Sequence, residues 1–243
     1  MFFYKNSRYN EEFAACILYC AHILDFNVIV GDEPNKSLPD IHTIDGKYGI
    51  EVVQVEQKID YLMNRVLEHS KSCDFDAAKT IAFCNNKKDF QNKFEIMQDD
   101  GKIVSITSNE RSHTFGAMRD IYTENLKKKL DKSEKRNYEG CEKVDLCCLM
   151  LQRRKTVNDV KLLAACYGFV SKDYERKFKK IFVLTTDSVF VVDANKLTLQ
   201  DSPGETRCYF GDIKEIAYDY NKAVAYHKRM KVEGLNPVTK TKK

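Results

Sequence analysis

Asp40 and Glu51 are the two residues whose types and spacing most directly indicate chemistry. Asp45-Gly46 lies between them, flanked by runs rich in β-prone residues, and this is the strongest short-range signal of a two-residue hairpin turn. Counting outward from that turn places Asp40 directly opposite Glu51, with Cβ atoms about 5 Å apart. Two opposed carboxylates destabilise a sheet unless something compensates their charge. A divalent cation is the obvious compensator.

Two further features of the hairpin leave alternatives open. His42 falls on the same face as Asp40 and Glu51, where it could act as a base or contact phosphate, although a histidine satisfied locally at the edge of the core is the commoner case. The two acids could also be exposed hairpin residues of a structural protein. A cation site and a solvated hairpin therefore remain competing interpretations.

The elements that would position this pair alternate between helices and strands. The second hairpin strand has apolar residues on both faces, so we expect a central strand covered by helices on each side. Helical spacing of apolar residues predicts helices over residues 11–25, 56–69, 118–130, 161–167 and 213–230. Short apolar runs predict strands over 26–30, 144–151, 181–184 and 189–192, and Asp100-Gly101 predicts a second hairpin over 94–106.

Length and composition favour an ordinary cytoplasmic protein. We expect a single domain over residues 1–235, with an insertion at 73–112 and a flexible basic tail at 236–243. The nine cysteines are odd in number and include no CxxC pair, which argues against a disulfide framework and against a zinc site. No apolar run approaches the length of a membrane span, so no membrane partner is expected.

The net charge of +4 is modest, but its positive excess is concentrated in four segments. These basic clusters cover residues 127–136, 153–155, 172–180 and 222–243. Such clusters suit a partner with a phosphate backbone, because bound counterions are released when lysine and arginine replace them. Each cluster taken alone is also compatible with a solvated helix face or a mobile tail.

The order of the predicted helices and strands, together with several short motifs, resembles the PD-(D/E)xK nuclease superfamily. The resemblance lies in Pro39-Asp40, the glycine-containing hairpin, Ile50-Glu51-Val52-Val53, and a lysine-rich helix with Tyr138 before an apolar strand. It covers roughly residues 9–70 and 116–192. It implies a restriction-endonuclease-like α/β/α fold, with an α-β-β-β-α-β core and a central mixed sheet.

The resemblance further implies a metal-dependent endonuclease that acts on DNA or RNA. Asp40 and Glu51 match the acidic ligands of Mg²⁺ or Mn²⁺, the carbonyl of Val52 would add a third ligand, and Glu12 matches a first-helix glutamate of some members. Lys127, Lys128, Arg153 and Arg154 are the expected nucleic-acid contacts. Cutting both strands of a duplex often requires two active sites, so a homodimer is a further expectation.

One position departs from the motif. Val53 stands where the family has its catalytic lysine, two residues beyond Glu51. Some relatives supply that group from elsewhere, and the candidates are Lys58 on the next predicted helix, Gln57 beside it, and Gln54 if a bulge turns the strand. The alternative is a catalytically impaired nuclease-fold module that binds nucleic acid or another protein.

Overall fold

The computed structural model describes residues 7–25, 28–31, 37–55, 94–99, 102–108, 114–136, 138, 140–151, 156–202 and 205–232. The chain divides into two compact units. The first unit comprises residues 1–5 and 56–121, and the second comprises residues 6–55 and 122–243. The predicted helix over 56–69, which includes Gln57 and Lys58, lies outside the described residues.

The described residues form four α-helices and eleven strands. The helices are α1 (Ser7–Cys20), α2 (Phe115–Arg136), α3 (Val157–Val170) and α4 (Tyr220–Val232). The strands are β1 (Val28–Val30), β2 (Ile41–Thr43), β3 (Tyr48–Gln54), β4 (Phe94–Asp99), β5 (Lys102–Ser108), β6 (Lys143–Leu149), β7 (Lys180–Leu184), β8 (Ser188–Asp193), β9 (Thr198–Ser202), β10 (Glu205–Tyr209) and β11 (Lys214–Ala217). Among these helices, none has the length and apolar character that a bilayer crossing would need.

A seven-stranded mixed sheet forms the centre of the second unit, which confirms the expected α/β class. Its strand order is β1-β2-β3-β6-β7-β8-β11. Strands β3, β6 and β7 run parallel to one another, whereas the other neighbours are antiparallel. Parallel neighbours require a crossover, and α2 lies in the chain between β3 and β6. Helix α2 is therefore part of the connection that crosses from β3 to β6.

The hairpin that joins β2 to β3 has the predicted register. Ile41 faces Ile50 and His42 faces Gly49. Gly46 adopts a φ of 72°, in the left-handed region that favours glycine, and its N–H donates to the Thr43 carbonyl at 2.9 Å. The register is therefore confirmed, whereas the hydrogen bond places Ile44 and Asp45 at the centre of the turn in place of the predicted Asp45-Gly46.

Gly49 positions the loop that carries Asp40. A Cβ atom at residue 49 would clash with the ring of Pro39, so this close approach of loop and strand requires glycine. On the other side of the loop, the Gly31 N–H donates to the Asp40 carbonyl at 2.8 Å. Asp40 is thus held between β1 and β3 immediately before β2 begins.

The core lies along β3, β6 and β7. Consecutive residues of β3 are buried on both faces, as expected for a central strand. The fully buried side chains of α2 are Tyr122, Leu126 and Leu130, which follow helical spacing. On α1, Phe13 packs edge-to-face against His227 of α4, with ring centroids 5.6 Å apart.

Two further predicted strand pairs and one predicted helix are confirmed in type and differ in length. Strands β7 and β8 pair as an antiparallel hairpin, and β4 pairs with β5 across Asp100-Gly101. Helix α3 is longer than predicted because Thr156 and Asp159 form a capping box that starts it earlier. The end positions of these elements depend on local hydrogen bonds that apolar spacing does not encode.

The prediction of a last helix over residues 213–230 was wrong for its first residues. Residues 214–217 form the edge strand β11, which pairs with β8, and the helix begins only at Tyr220. The side chain of Asp219 accepts a hydrogen bond from the Lys222 N–H at 3.1 Å and thereby caps the new start. The hairpin β9–β10 was missed, although Pro203-Gly204 between its strands is a turn signal.

Candidate functional site

Asp40 and Glu51 come together in the second unit as the sequence predicts. Asp40 is 5% exposed and Glu51 is 0% exposed, so both carboxylates are withdrawn from solvent. Burying an ionised carboxylate costs several kcal/mol unless partners compensate it. The prediction of exposed hairpin residues is therefore wrong, and the partners of these acids decide what the site can do.

Two lysines of α2 supply the compensation. The ammonium group of Lys129 lies 2.6 Å from Asp40 Oδ2 and 2.6 Å from Glu51 Oε2. The ammonium group of Lys132 lies 2.7 Å from Asp40 Oδ1 and 2.9 Å from Glu51 Oε2. Residues three apart in a helix share a face, which is why both lysines reach the same pair of acids. Each lysine bridges the two carboxylates.

Two neutral donors complete the surroundings of the acids. The Val52 N–H donates to Asp40 Oδ2 at 2.9 Å, and the buried Tyr138 hydroxyl donates to Glu51 Oε1 at 2.7 Å. We call Asp40, Glu51, Lys129, Lys132 and Tyr138 the carboxylate–lysine cluster. The cluster contains two carboxylates and two ammonium groups, so its formal charges balance.

The electrostatics of the cluster favour the ionised form of the Asp40 carboxyl. Burial by itself would raise the pKa of the Asp40 carboxyl, but the ammonium groups of Lys129 and Lys132 hold that pKa well below its usual range. Burial likewise lowers the pKa of Lys129, and the two carboxylates raise it by more. Burial and the nearby Glu51 carboxylate raise the pKa of the Tyr138 hydroxyl, which therefore remains a hydrogen-bond donor.

The backbone of Val52 faces the same side of β3 as Asp40. The N–H and C=O of one strand residue point to the same edge, and the Val52 N–H already donates to Asp40. The Val52 carbonyl therefore faces the edge of β3 on which Asp40 lies, and together with Asp40 and Glu51 it makes up the predicted set of oxygen ligands. This donor set of two carboxylates and one carbonyl fits a hard cation such as Mg²⁺, which normally keeps several water ligands.

A richer protein cage for a metal is absent from the part of the chain that the structure describes. Within it, no group of three or more His, Cys, Asp or Glu residues is placed to hold a metal ion. Glu12 consequently forms no three-carboxylate site with Asp40 and Glu51. Its carboxylate lies 3.2 Å from Arg8 Nε and 3.3 Å from His227 Nε2.

His42 has a local role in the hairpin. Its Nδ1 lies 3.1 Å from the Pro39 carbonyl oxygen, and since that oxygen can only accept, Nδ1 is the donor. The side chain is buried. The hydrogen bond stabilises the loop in which Asp40 lies.

The other predicted site residues have different positions. Lys127 and Lys128 are exposed on α2, and Lys128 lies 2.5 Å from Glu124. Arg153 and Arg154 lie outside the described residues. Strand β3 pairs with β6 without a register shift, so Gln54 points to the face opposite Glu51 and cannot replace the lysine through a bulge.

Lys129 and Lys132 are the site residues that the sequence interpretation missed. It named the lysine-rich helix but gave Lys58, Gln57 and Gln54 as the candidates to replace the motif lysine. A weak signal was present, because Lys129 follows buried Tyr122 and Leu126 by seven and three residues and so continues their apolar face. The same spacing argument does not extend to a contact with residues almost ninety positions earlier.

No family model, no curated protein and no solved structure matches the chain. The function therefore has to be argued from the carboxylate–lysine cluster and the elements that build it.

Proposed function

We propose that the protein is a metal-dependent nuclease that hydrolyses phosphodiester bonds of DNA or RNA. The observation that carries this proposal is the convergence of Lys129 and Lys132 on Asp40 and Glu51. Val53 occupies the position of the motif lysine. Two ammonium groups from α2 contact the acids that this lysine would accompany. Acidic ligands and a basic group are then present at one site.

The element order supports a restriction-endonuclease-like core for this proposal. Helix α1 precedes β1, β2 and β3, and α2 and β6 follow later in the chain. Strand β3 carries Glu51 and pairs in parallel with β6. This order agrees with the α-β-β-β-α-β pattern that the sequence motifs imply.

The residues of the site suggest a division of roles. Asp40, Glu51 and the Val52 carbonyl would hold Mg²⁺ or Mn²⁺. When bound, the cation would orient and activate a water molecule and offset charge on the scissile phosphate. The ammonium groups of Lys129 and Lys132 would donate hydrogen bonds to that water or to a phosphate oxygen, as the motif lysine does in the family.

A cleavage assay tests the proposal. The pure protein is incubated with single- and double-stranded DNA and RNA in Mg²⁺, Mn²⁺ or chelator. We expect metal-dependent products, and a loss of at least about 100-fold in rate for Asp40→Asn, because that change removes a metal ligand. Asp120→Asn is the matched control, since Asp120 is an exposed acid outside the cluster.

The outcome of that assay can also contradict the proposal. Cleavage that persists in chelator, or that is unchanged in Asp40→Asn, would show that another site is responsible. If no substrate is cleaved with either metal, the proposed nuclease function is wrong.

A second candidate function is a non-catalytic module of the same fold that binds nucleic acid. The balanced charges of the carboxylate–lysine cluster favour it, because such a cluster needs no cation for its stability. Under this alternative, the protein binds nucleic acid with an affinity that falls as salt rises, forms no product, and takes up no Mn²⁺ at Asp40 and Glu51. Binding and cleavage measured on the same sample separate the two candidates.

A further inference from the structure

We infer that Lys132 stands in the cation position and that the divalent cation must displace it, whereas Lys129 stays in place. The inference rests on the proposed function, because it concerns the same two carboxylates. It assigns different roles to two lysines that the sequence does not distinguish. The argument depends on which oxygen atom each donor occupies.

The four carboxylate oxygens differ in their partners. Asp40 Oδ2 accepts from the Val52 N–H as well as from Lys129, and Glu51 Oε1 accepts from Tyr138. Among the described residues, the hydrogen-bond partners of Asp40 Oδ1 and Glu51 Oε2 are lysines alone. A cation that takes one oxygen from each acid without breaking a neutral hydrogen bond therefore binds Oδ1 and Oε2.

Lys132 is the lysine that bridges this pair of oxygens. Its ammonium group contacts Oδ1 at 2.7 Å and Oε2 at 2.9 Å. Lys129 instead bridges Oε2 and Asp40 Oδ2, the oxygen that the Val52 N–H also holds. The position between Oδ1 and Oε2 cannot contain an ammonium group and a metal ion at once.

Burial also favours the release of Lys132. Its side chain is 24% exposed, compared with 17% for Lys129, so a larger fraction of it already contacts solvent. A lysine has a flexible four-carbon stem and can move its charge without moving the helix. After Lys132 leaves, the two acids, Lys129 and a divalent cation retain a single positive charge, which suits a phosphate group.

Lysine labelling in the wild-type protein tests this exchange directly. The protein is treated briefly with an amine-acylating reagent, with and without Mn²⁺, and acylation at each lysine is measured by mass spectrometry. We expect Mn²⁺ to increase the acylation of Lys132 severalfold and to leave Lys129 protected. Lys161, which is exposed in either state, serves as the internal control.

Calorimetry with Mn²⁺ alone provides the second measurement. Lys132→Met is expected to tighten Mn²⁺ binding by at least about tenfold, because a competing positive charge is removed from the site. Lys161→Met should bind Mn²⁺ as the wild type does. Circular dichroism establishes that each variant is folded, and the labelling result stands without any variant.

The outcomes separate the inference from the proposed function. If Mn²⁺ binds and nucleic acid is cut while Lys132 stays protected, or while Lys129 becomes the reactive lysine, the inference is wrong and the nuclease stands. If Mn²⁺ gives no binding heat and no cleavage occurs, both are wrong. Increased labelling of Lys132 together with tighter binding by Lys132→Met supports the inference.

Discussion

At the scale of single residues, the carboxylate–lysine cluster depends on long-range contacts. The sequence predicted that Asp40 and Glu51 lie together, because a two-residue turn and the period of a strand fix their register. The lysines could not be assigned in this way. Lys129 and Lys132 lie 78–92 residues from the acids along the chain, and no local period connects them.

Stability at acid pH should depend on Asp40. Because its native pKa lies below the usual value of about 3.9, its contribution to stability is present above that value and is lost as pH falls through the native pKa. We expect Asp40→Asn to be about 3 kcal/mol less stable than wild type at neutral pH, since buried charges lose a partner. Urea unfolding at several pH values measures the difference, which should shrink below about pH 4.

Asp120→Asn is the control for the pH experiment, because Asp120 is an exposed acid paired with Arg119. Its unfolding free energy should follow that of the wild type at every pH. If the difference in unfolding free energy between wild type and Asp40→Asn stays constant down to low pH, the pKa of Asp40 is not lowered in the native protein.

Tyr138→Phe isolates the neutral donor of the cluster. The change removes the hydroxyl that donates to Glu51 Oε1 and leaves the ring in place. We expect the free energy of unfolding to fall by about 1.5–3 kcal/mol, the range for a buried hydrogen bond to a charged group. In the control Tyr174→Phe, the lost partner is the Asp131 carboxylate in a more exposed setting, and a smaller effect is expected. Equal losses in the two variants would argue against a special role for Tyr138.

At the scale of elements, sequence signals identified types better than ends. Asp45-Gly46 and Asp100-Gly101 located both hairpins because each dipeptide favours the backbone of a tight turn. The residues of β11 were predicted to be helical. Their strand conformation depends on pairing with β8 at the edge of the sheet, which the local sequence does not encode. Such tertiary pairing overrides the weak local preference of a short segment.

Gly49→Ala tests how the hairpin positions Asp40. The added methyl group would clash with the ring of Pro39, so the loop that carries Asp40 must shift. We expect a loss of about 1–3 kcal/mol in unfolding free energy, together with weaker Mn²⁺ binding. Thermal unfolding and calorimetry measure these effects.

Gly116→Ala is the matched change on α2, where an added Cβ meets nothing within 4 Å. Alanine is the better helix former, so this variant should be equally stable or more stable than the wild type. If Gly49→Ala behaves like Gly116→Ala and retains its Mn²⁺ affinity, the close packing of loop and strand does not position the acid.

At the scale of the whole molecule, charge distribution bears on nucleic-acid binding. The net charge of +4 is small, so the nucleic-acid affinity that the proposed function requires would come from local basic segments such as residues 127–136. Lys127 and Lys128 are exposed on the same helix that supplies the partly buried Lys129 and Lys132. One helix therefore offers charge both to solvent and to the carboxylate–lysine cluster.

Salt dependence tests the outer lysines. Replacing Lys127 and Lys128 with alanine should weaken DNA binding and reduce the slope of log affinity against log salt by about one unit for each lost phosphate contact. Fluorescence anisotropy over a salt series measures the slope, and Lys161→Ala is the control. An unchanged slope would place the nucleic acid on another surface.

The most direct test of the central claim is diffraction from crystals soaked in Mn²⁺, recorded for its anomalous signal. We expect an anomalous peak between Asp40 Oδ1 and Glu51 Oε2, with the Val52 carbonyl nearby and Lys132 moved away. A map without Mn²⁺ at this position, in which Lys129 and Lys132 still bridge the two acids at saturating metal, would contradict a metal-dependent site in this protein.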